Sequence, residues 1–159
     1  KLNCAHFASA LSVCYLSQYP YCCIVRRMNQ DSIFTKIIKG DIPCHKIYED
    51  EKTFVFLDIY PIQPGQVLVV PKAQVQFVWQ LESPDYQALM ETAKKVALRI
   101  QMAFPQKTHV GMHIEGLDVD HAHIKLFPFS TDEGFHSHPD RSTEPDHTAL
   151  AEMAQKLAF

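Results

Sequence analysis

The sequence has no run of about 18 or more apolar residues, so no transmembrane helix is written in it and no membrane partner is expected. Basic residues are not in excess. The formal charge is −3 with His neutral, which argues against a general nucleic-acid binder. Glycine is scarce, with five in 159 residues, and this excludes collagen-like repeats. An apolar share of 47% excludes a disordered chain. Beyond residue 23 the only Cys is Cys44, so most of the chain reads as a cytoplasmic protein rather than a disulfide-stapled one. The length suits one domain with a real core and would cramp two. What is plentiful is His: nine in all, seven of them between His109 and His147.

Residues 1–27 differ from the rest. They hold Cys4, Cys14, Cys22 and Cys23, lack acidic residues and show no clear period. Met28 follows at once, so 1–27 reads as a non-domain extension or leader and 28–159 as one domain. Without Lys1, Arg26 and Arg27 the formal charge falls from −3 to −6, which sharpens the case against nucleic acid.

From Met28 onward helices, strands and turns alternate in good order. Ile33, Phe34, Ile37 and Ile38 have helical spacing, with Asp31 or Ser32 as cap and Gly40 as stop. His45–Asp50, Thr53–Ile59, Gln66–Val70, Thr108–Glu115 and His121–Pro128 read as strands. Ser83-Pro84-Asp85 opens a long central helix, whose stripe Tyr86, Leu89, Met90, Ala93, Val96, Ala97 and Ile100 runs toward Ala103. A last helix is predicted from about Pro145 to Leu157. Five strands joined mostly by short turns, with these helices, predict an α+β fold around a largely antiparallel sheet.

The chemistry concentrates in Asp120-His121-Ala122-His123-Ile124-Lys125. On a strand His121, His123 and Lys125 share one face, and two imidazoles beside an ammonium are costly to bury. That face is therefore expected to meet solvent or an anion. An exposed polar strand face is one reading. A zinc site is another, although no Cys-x-x-Cys or third ligand is spaced nearby. Phosphoryl chemistry is the third: one His attacks phosphorus, a neighbour orients it, and a cation holds the oxygens.

His121-Ala122-His123-Ile124-Lys125-Leu126-Phe127 resembles the signature of the histidine triad (HIT) family, His-x-His-x-His with apolar residues between. Ser32 to Pro43, Tyr48-Glu49-Asp50, Phe56 to Pro61 and Pro64 to Lys72 resemble its other segments in the same order, so the likeness covers roughly residues 31–128. The resemblance implies a nucleotide hydrolase or transferase. His123 would be the nucleophile at the α-phosphorus of a purine nucleoside phosphoramidate, mixed anhydride or dinucleoside polyphosphate. His121 would orient it, Asp58 would bind the ribose hydroxyls, and Ile33, Phe34, Ile37, Phe56 and Ile59 would clamp the base. The same resemblance implies a homodimer paired along the central helix and an edge strand, and it calls for no cofactor.

Three features depart from that family pattern. Lys125 stands in the third His position, where the galactose-1-phosphate uridylyltransferases carry Gln; an ammonium can donate to phosphate but has no lone pair to accept a proton. A nucleotide-binding regulatory protein with a decayed triad is therefore the alternative to an enzyme. The metal-type positions read Ser32, Thr35 and Gln74, so no metal is expected. The loop before the triad lacks the family's usual phosphate donors. It places Asp118 by the nucleotide and leaves His113 or Glu115 in place of a missing Asn. His136 and His138 are read as an exposed loop pair rather than as part of a site.

Overall fold

The computed structural model describes residues 30–159, so the extension read at 1–27 lies outside the described residues. The elements follow the chain as α1 (Ile33–Lys39), β1 (Lys46–Glu49), β2 (Thr53–Leu57), β3 (Val67–Pro71), α2 (Ser83–Ala103), β4 (His109–Ile114), β5 (Ile124–Phe129), α3 (Asp132–His136) and α4 (His147–Leu157). A short 3-10 turn at Val78–Gln80 precedes α2. The five strands form one sheet in the order β1-β2-β3-β5-β4, with every neighbouring pair antiparallel. The fold is thus the expected α+β arrangement.

Local chemistry explains the ends of the elements. The Ser32 hydroxyl caps α1 by accepting from the Thr35 amide, and Gly40 ends it at φ 85°. Helix α2 starts one residue earlier than its sequence signal: Glu82 is the cap residue and Ser83 the first helical one. At Asp50, one carboxylate oxygen accepts from the amides of Lys52 and Thr53 and from the Thr53 hydroxyl, closing the β1–β2 turn.

All five residues of β2 and of β3 are buried, because the sheet is covered on both faces. Val55, Leu57, Val67, Val69, Ile124 and Leu126 pack with Leu89, Ala93, Val96 and Ile100 of α2 and Leu157 of α4. Phe54, Phe56, Leu68 and Val70 point to the other face, where Phe34 of α1 meets them. On this second face Phe56, Leu68, Lys125 and His113 lie in register across four strands. That row becomes the floor of a cleft.

Gly65 permits the turn into β3. Its φ is 90°, and a Cβ there would sit 2.5 Å from the Phe104 ring, which is itself buried. Gly65→Ala is expected to cost roughly 1–3 kcal/mol from backbone strain, before any cost of displacing Phe104. Urea unfolding of the two proteins measures it, and an unchanged midpoint would refute the assignment.

Two sequence expectations fail here. Strand β5 begins at Ile124, not at His121. The pairings with β3 and β4 both end at Ile124, and the residues before it turn elsewhere: Ala122 donates to the Val75 carbonyl and His121 to that of Val119. The residues after β5 include one turn of helix, α3, capped by Thr131 and read in the sequence only as loop.

Candidate functional site

His121 and His123 do not form an open strand face with Lys125. They are 0% and 2% exposed. Burial is possible because each ring polar atom is used or turned into the cleft, which removes the penalty that made a solvent-facing row the expectation. His121 Nε2 lies 2.8 Å from the Pro71 carbonyl. A carbonyl only accepts, so Nε2 carries the proton and Nδ1 is free to accept. The Ser32 hydroxyl lies 2.7 Å from that Nδ1 and donates to it. Ser32 in turn accepts from the Thr35 amide, while Thr35 donates its hydroxyl proton to the Gln74 side-chain oxygen. Gln74 also accepts from the Ser32 amide and donates to the Gln30 carbonyl.

The same logic fixes His123. Its Nδ1 lies 2.8 Å from the His121 carbonyl, so Nδ1 is protonated and donates. The lone pair is therefore on Nε2, the ring's other nitrogen, and the residue lines the cleft. Phe34 packs edge-on against this ring, with centroids 5.2 Å apart.

Burial pushes both imidazoles below the usual histidine range. For His121 the Pro71 carbonyl partly offsets this and the neighbouring His123 adds to it. For His123 the His121 carbonyl offsets it, Lys125 lowers the value further, and Glu115 and Asp58 raise it. Both groups are thus held neutral near pH 7. As pH falls, the unfolded chain takes up these protons first. The stabilisation is complete above about pH 6.5 and is lost as pH drops toward the folded-state values. Denaturant midpoints measured from pH 8 down to 5 are expected to fall below about 6.5; replacing His121 and His123 together with Gln should flatten that segment of the curve.

The cleft measures about 680 Å³. It brings together Ile33, Phe34, Ile37, Phe56, Asp58, Ile59, Asp118, His123 and Lys125, and His121 lies behind them, out of the cleft. Phe34 and Phe56 double as packing residues, whereas Ile33 and Ile59 are 49% and 42% exposed at its edge. Asp58 directly follows β2, with both carboxylate oxygens occupied, one accepting from the Tyr60 amide at 2.9 Å and one from the Gln66 side-chain amide at 2.7 Å. Burial still pushes its carboxyl above the ordinary range, against those bonds and the cations Lys125 and Arg141. Lys125 is paired with Glu115, and Asp118 with Arg141 at 2.9 Å.

Sequence reasoning missed Gln66, Arg141 and the loop pair. His136 and His138 are exposed, yet they line this cleft with Ser137, Pro139 and Arg141. No local signal marks a contact between residues this far apart in the chain.

Ser32, Thr35, Gln74 and His121 do converge, as the resemblance implies for metal-type positions. Three are neutral oxygen donors hydrogen-bonded to one another, and both His121 nitrogens are engaged. Zinc prefers thiolate and imidazole ligands, so this set does not fit it.

The chain matches the HIT domain family over residues 39–131, more than half its length. It belongs to the HIT family. It is 34% identical over 101 residues to the adenosine 5'-monophosphoramidase hnt1 of Schizosaccharomyces pombe, covering 64% of this chain and 76% of that protein. It is 32% identical over 114 residues to Protein hit of Bacillus subtilis, covering 67% and 77%. The crystal structure of a Hit-like protein from Bartonella henselae superposes with a TM-score of 0.70 at 24% identity, over 80% of this chain and 93% of that one, which shows the shared fold. HIT membership carries the general function of a nucleotide hydrolase or transferase.

Proposed function

We propose that this HIT protein cleaves purine nucleoside phosphoramidates, mixed anhydrides or dinucleoside polyphosphates at the α-phosphate, through a nucleotidyl-histidine on His123. The observation that carries this reading is the His123 tautomer: Nδ1–H is tied to the His121 carbonyl, which leaves the Nε2 lone pair for a substrate in the cleft. Nε2 attacks the α-phosphorus, and the bond from phosphorus to the leaving group breaks. The leaving group departs with the bonding pair and takes up a proton. The ring in the intermediate is cationic, and the His121 carbonyl at its Nδ1–H stabilises that charge. Water then adds to phosphorus, the P–N bond breaks, and nucleoside monophosphate and neutral His123 are regenerated.

His121 orients His123 through its carbonyl and is itself locked by Ser32 and Pro71. Lys125 is read as occupying the place of the third histidine, where it holds a non-bridging phosphate oxygen. Asp58 binds the ribose hydroxyls, with Gln66 and the Tyr60 amide fixing its orientation. The apolar end of the cleft, Ile33, Phe34, Ile37, Phe56 and Ile59, takes the base. The named activity of the Schizosaccharomyces pombe relative supports an adenosine phosphoramidate as first substrate. Incubation with it is expected to release AMP and to leave an acid-labile adenylyl group on His123. Tight AMP binding without release would favour the second reading, a nucleotide-binding regulator with impaired turnover. The Lys125–Glu115 pair is what favours that alternative, because it occupies the cation at the triad.

The quaternary state proposed is a homodimer. Leu98 and Met102 of α2 and Met112 and Ile114 of the edge strand β4 are 40% or more exposed, an apolar surface suited to a second copy. Sedimentation tests it, and a single-chain mass would refute it. Among the described residues no helix is long and apolar enough to cross a membrane.

A further inference from the structure

Residues 130–146 add nothing to the sheet, and most lie beyond the stretch that matches the family. They nevertheless form one wall of the cleft. The segment is fastened at both ends to different loops. At its start the Gln63 side-chain amide donates to the Gly134 carbonyl at 3.1 Å and to the Ser137 hydroxyl at 2.9 Å. Phe135 anchors the same end against Phe129 and His113, at centroid distances of 5.0 and 5.1 Å. At its far end the Arg141 guanidinium reaches Asp118 at 2.9 Å, in the loop between β4 and β5. The strap so formed carries His136, His138 and Arg141 to the cleft, into which Lys125 also opens.

The cleft is therefore divided in chemistry. Its α1 side is apolar, with Phe34 packed against His123, and the strap side offers nitrogen donors. Three carboxylates face those donors: Asp118 pairs with Arg141, Glu115 with Lys125, and Asp132 with His136 at 3.4 Å. The Arg141–Asp118 pair is weak where it stands, since its side chains are 61% and 57% exposed and water competes for both. A phosphate offers the guanidinium two parallel charge-assisted hydrogen bonds and a larger charge than one carboxylate oxygen does. Arg141 is thus available to a phosphate without a large cost of breaking its resting contact.

We infer that Arg141, with His136 and His138, forms a subsite for a phosphate beyond the α-phosphate, so that nucleotides with a phosphate-bearing leaving group are held across His123 by both halves of the cleft. This rests on the nucleotide reading above and adds to it the polarity of the leaving group. Arg141 and the two histidines act on specificity, not on the nucleophile.

Calorimetric titration of the full chain with AMP and with α,β-methylene ATP, whose α–β link is not cleaved, tests the inference. The methylene analogue is expected to bind at least about tenfold tighter than AMP at low salt, an advantage that shrinks as salt rises. Arg141→Ala should bring the two within about twofold while AMP affinity changes less than twofold, and Arg141→Lys should recover part of the difference by keeping charge without the bidentate fork. Equal affinities in the unaltered chain, or an equal loss for both ligands in Arg141→Ala, would overturn the subsite. If AMP binds and the difference is missing, the subsite alone falls. If neither ligand binds, the nucleotide reading falls and the subsite with it.

Discussion

His123→Ala is expected to lower kcat on an adenosine phosphoramidate by about three orders of magnitude or more, while AMP still binds. The magnitude is that of removing a nucleophile, for which no neighbouring group can substitute. His121 cannot take over, because both its nitrogens are engaged with Ser32 and Pro71. Lys125 is an ammonium with no lone pair to offer. AMP binding should survive because Asp58 and the apolar end of the cleft are built from α1, β2 and the turn after it. The ring's loss leaves a void beside Phe34 but no unpaired partner side chain, since the acceptor for Nδ1 is the His121 carbonyl. Single-turnover kinetics with an alkaline denaturing quench, which preserves the acid-labile adenylyl group, measures both steps. A variant that turned over within tenfold of the parent would end the covalent mechanism.

Lys125→Ala should lower kcat/KM by roughly 10²–10³-fold, the usual worth of one preorganised charge at a phosphoryl centre. Part of that loss would come from what is left behind. Glu115 is only 34% exposed at its side chain, and without Lys125 its carboxylate stays by the cleft and repels phosphate. Glu115→Gln in the Lys125→Ala background is therefore expected to recover about tenfold, a non-additivity that a double-mutant cycle reads directly. Fully additive losses would show that the two side chains act separately on the substrate. Lys125→His tests whether the position takes part at all. It should introduce a titration near the ordinary imidazole range into the pH profile of kcat/KM. A profile identical to that of the unaltered chain would remove Lys125 from the mechanism.

Much of the candidate site is legible in the sequence, and the reason differs by residue. The α1 helix and its Ser32 and Gly40 ends follow from apolar spacing and capping chemistry, which act within a few residues. The five strands follow from short apolar, β-branched and aromatic runs bounded by turn residues. Asp58 was marked by the family likeness, and as a carboxylate between Leu57 and Ile59 it needs a partner, which Gln66 and the Tyr60 amide supply. The reading of His121, His123 and Lys125 as one exposed row failed because it extended strand alternation through residues that are not in the strand. Nothing in their local sequence says that pairing with both neighbouring strands ends at Ile124.

The sequence by itself determined the α+β class, the order of elements and the residues of the triad-like segment, because hydrophobic period, caps and turns are short-range properties. Tertiary structure alone decided how those residues work. Ser32 reaches His121 across 89 positions of the chain, and Gln63 reaches Ser137 across 74. Such contacts form only when the sheet and its loops close, so no local pattern carries them. Closure also inverted an expectation. It buried two imidazoles in the neutral form, since each found a fixed carbonyl for its proton. The scarcity of positive charge is sharpened in the same way: Lys125 and Arg141, far apart in sequence, open into one cleft, each beside a carboxylate.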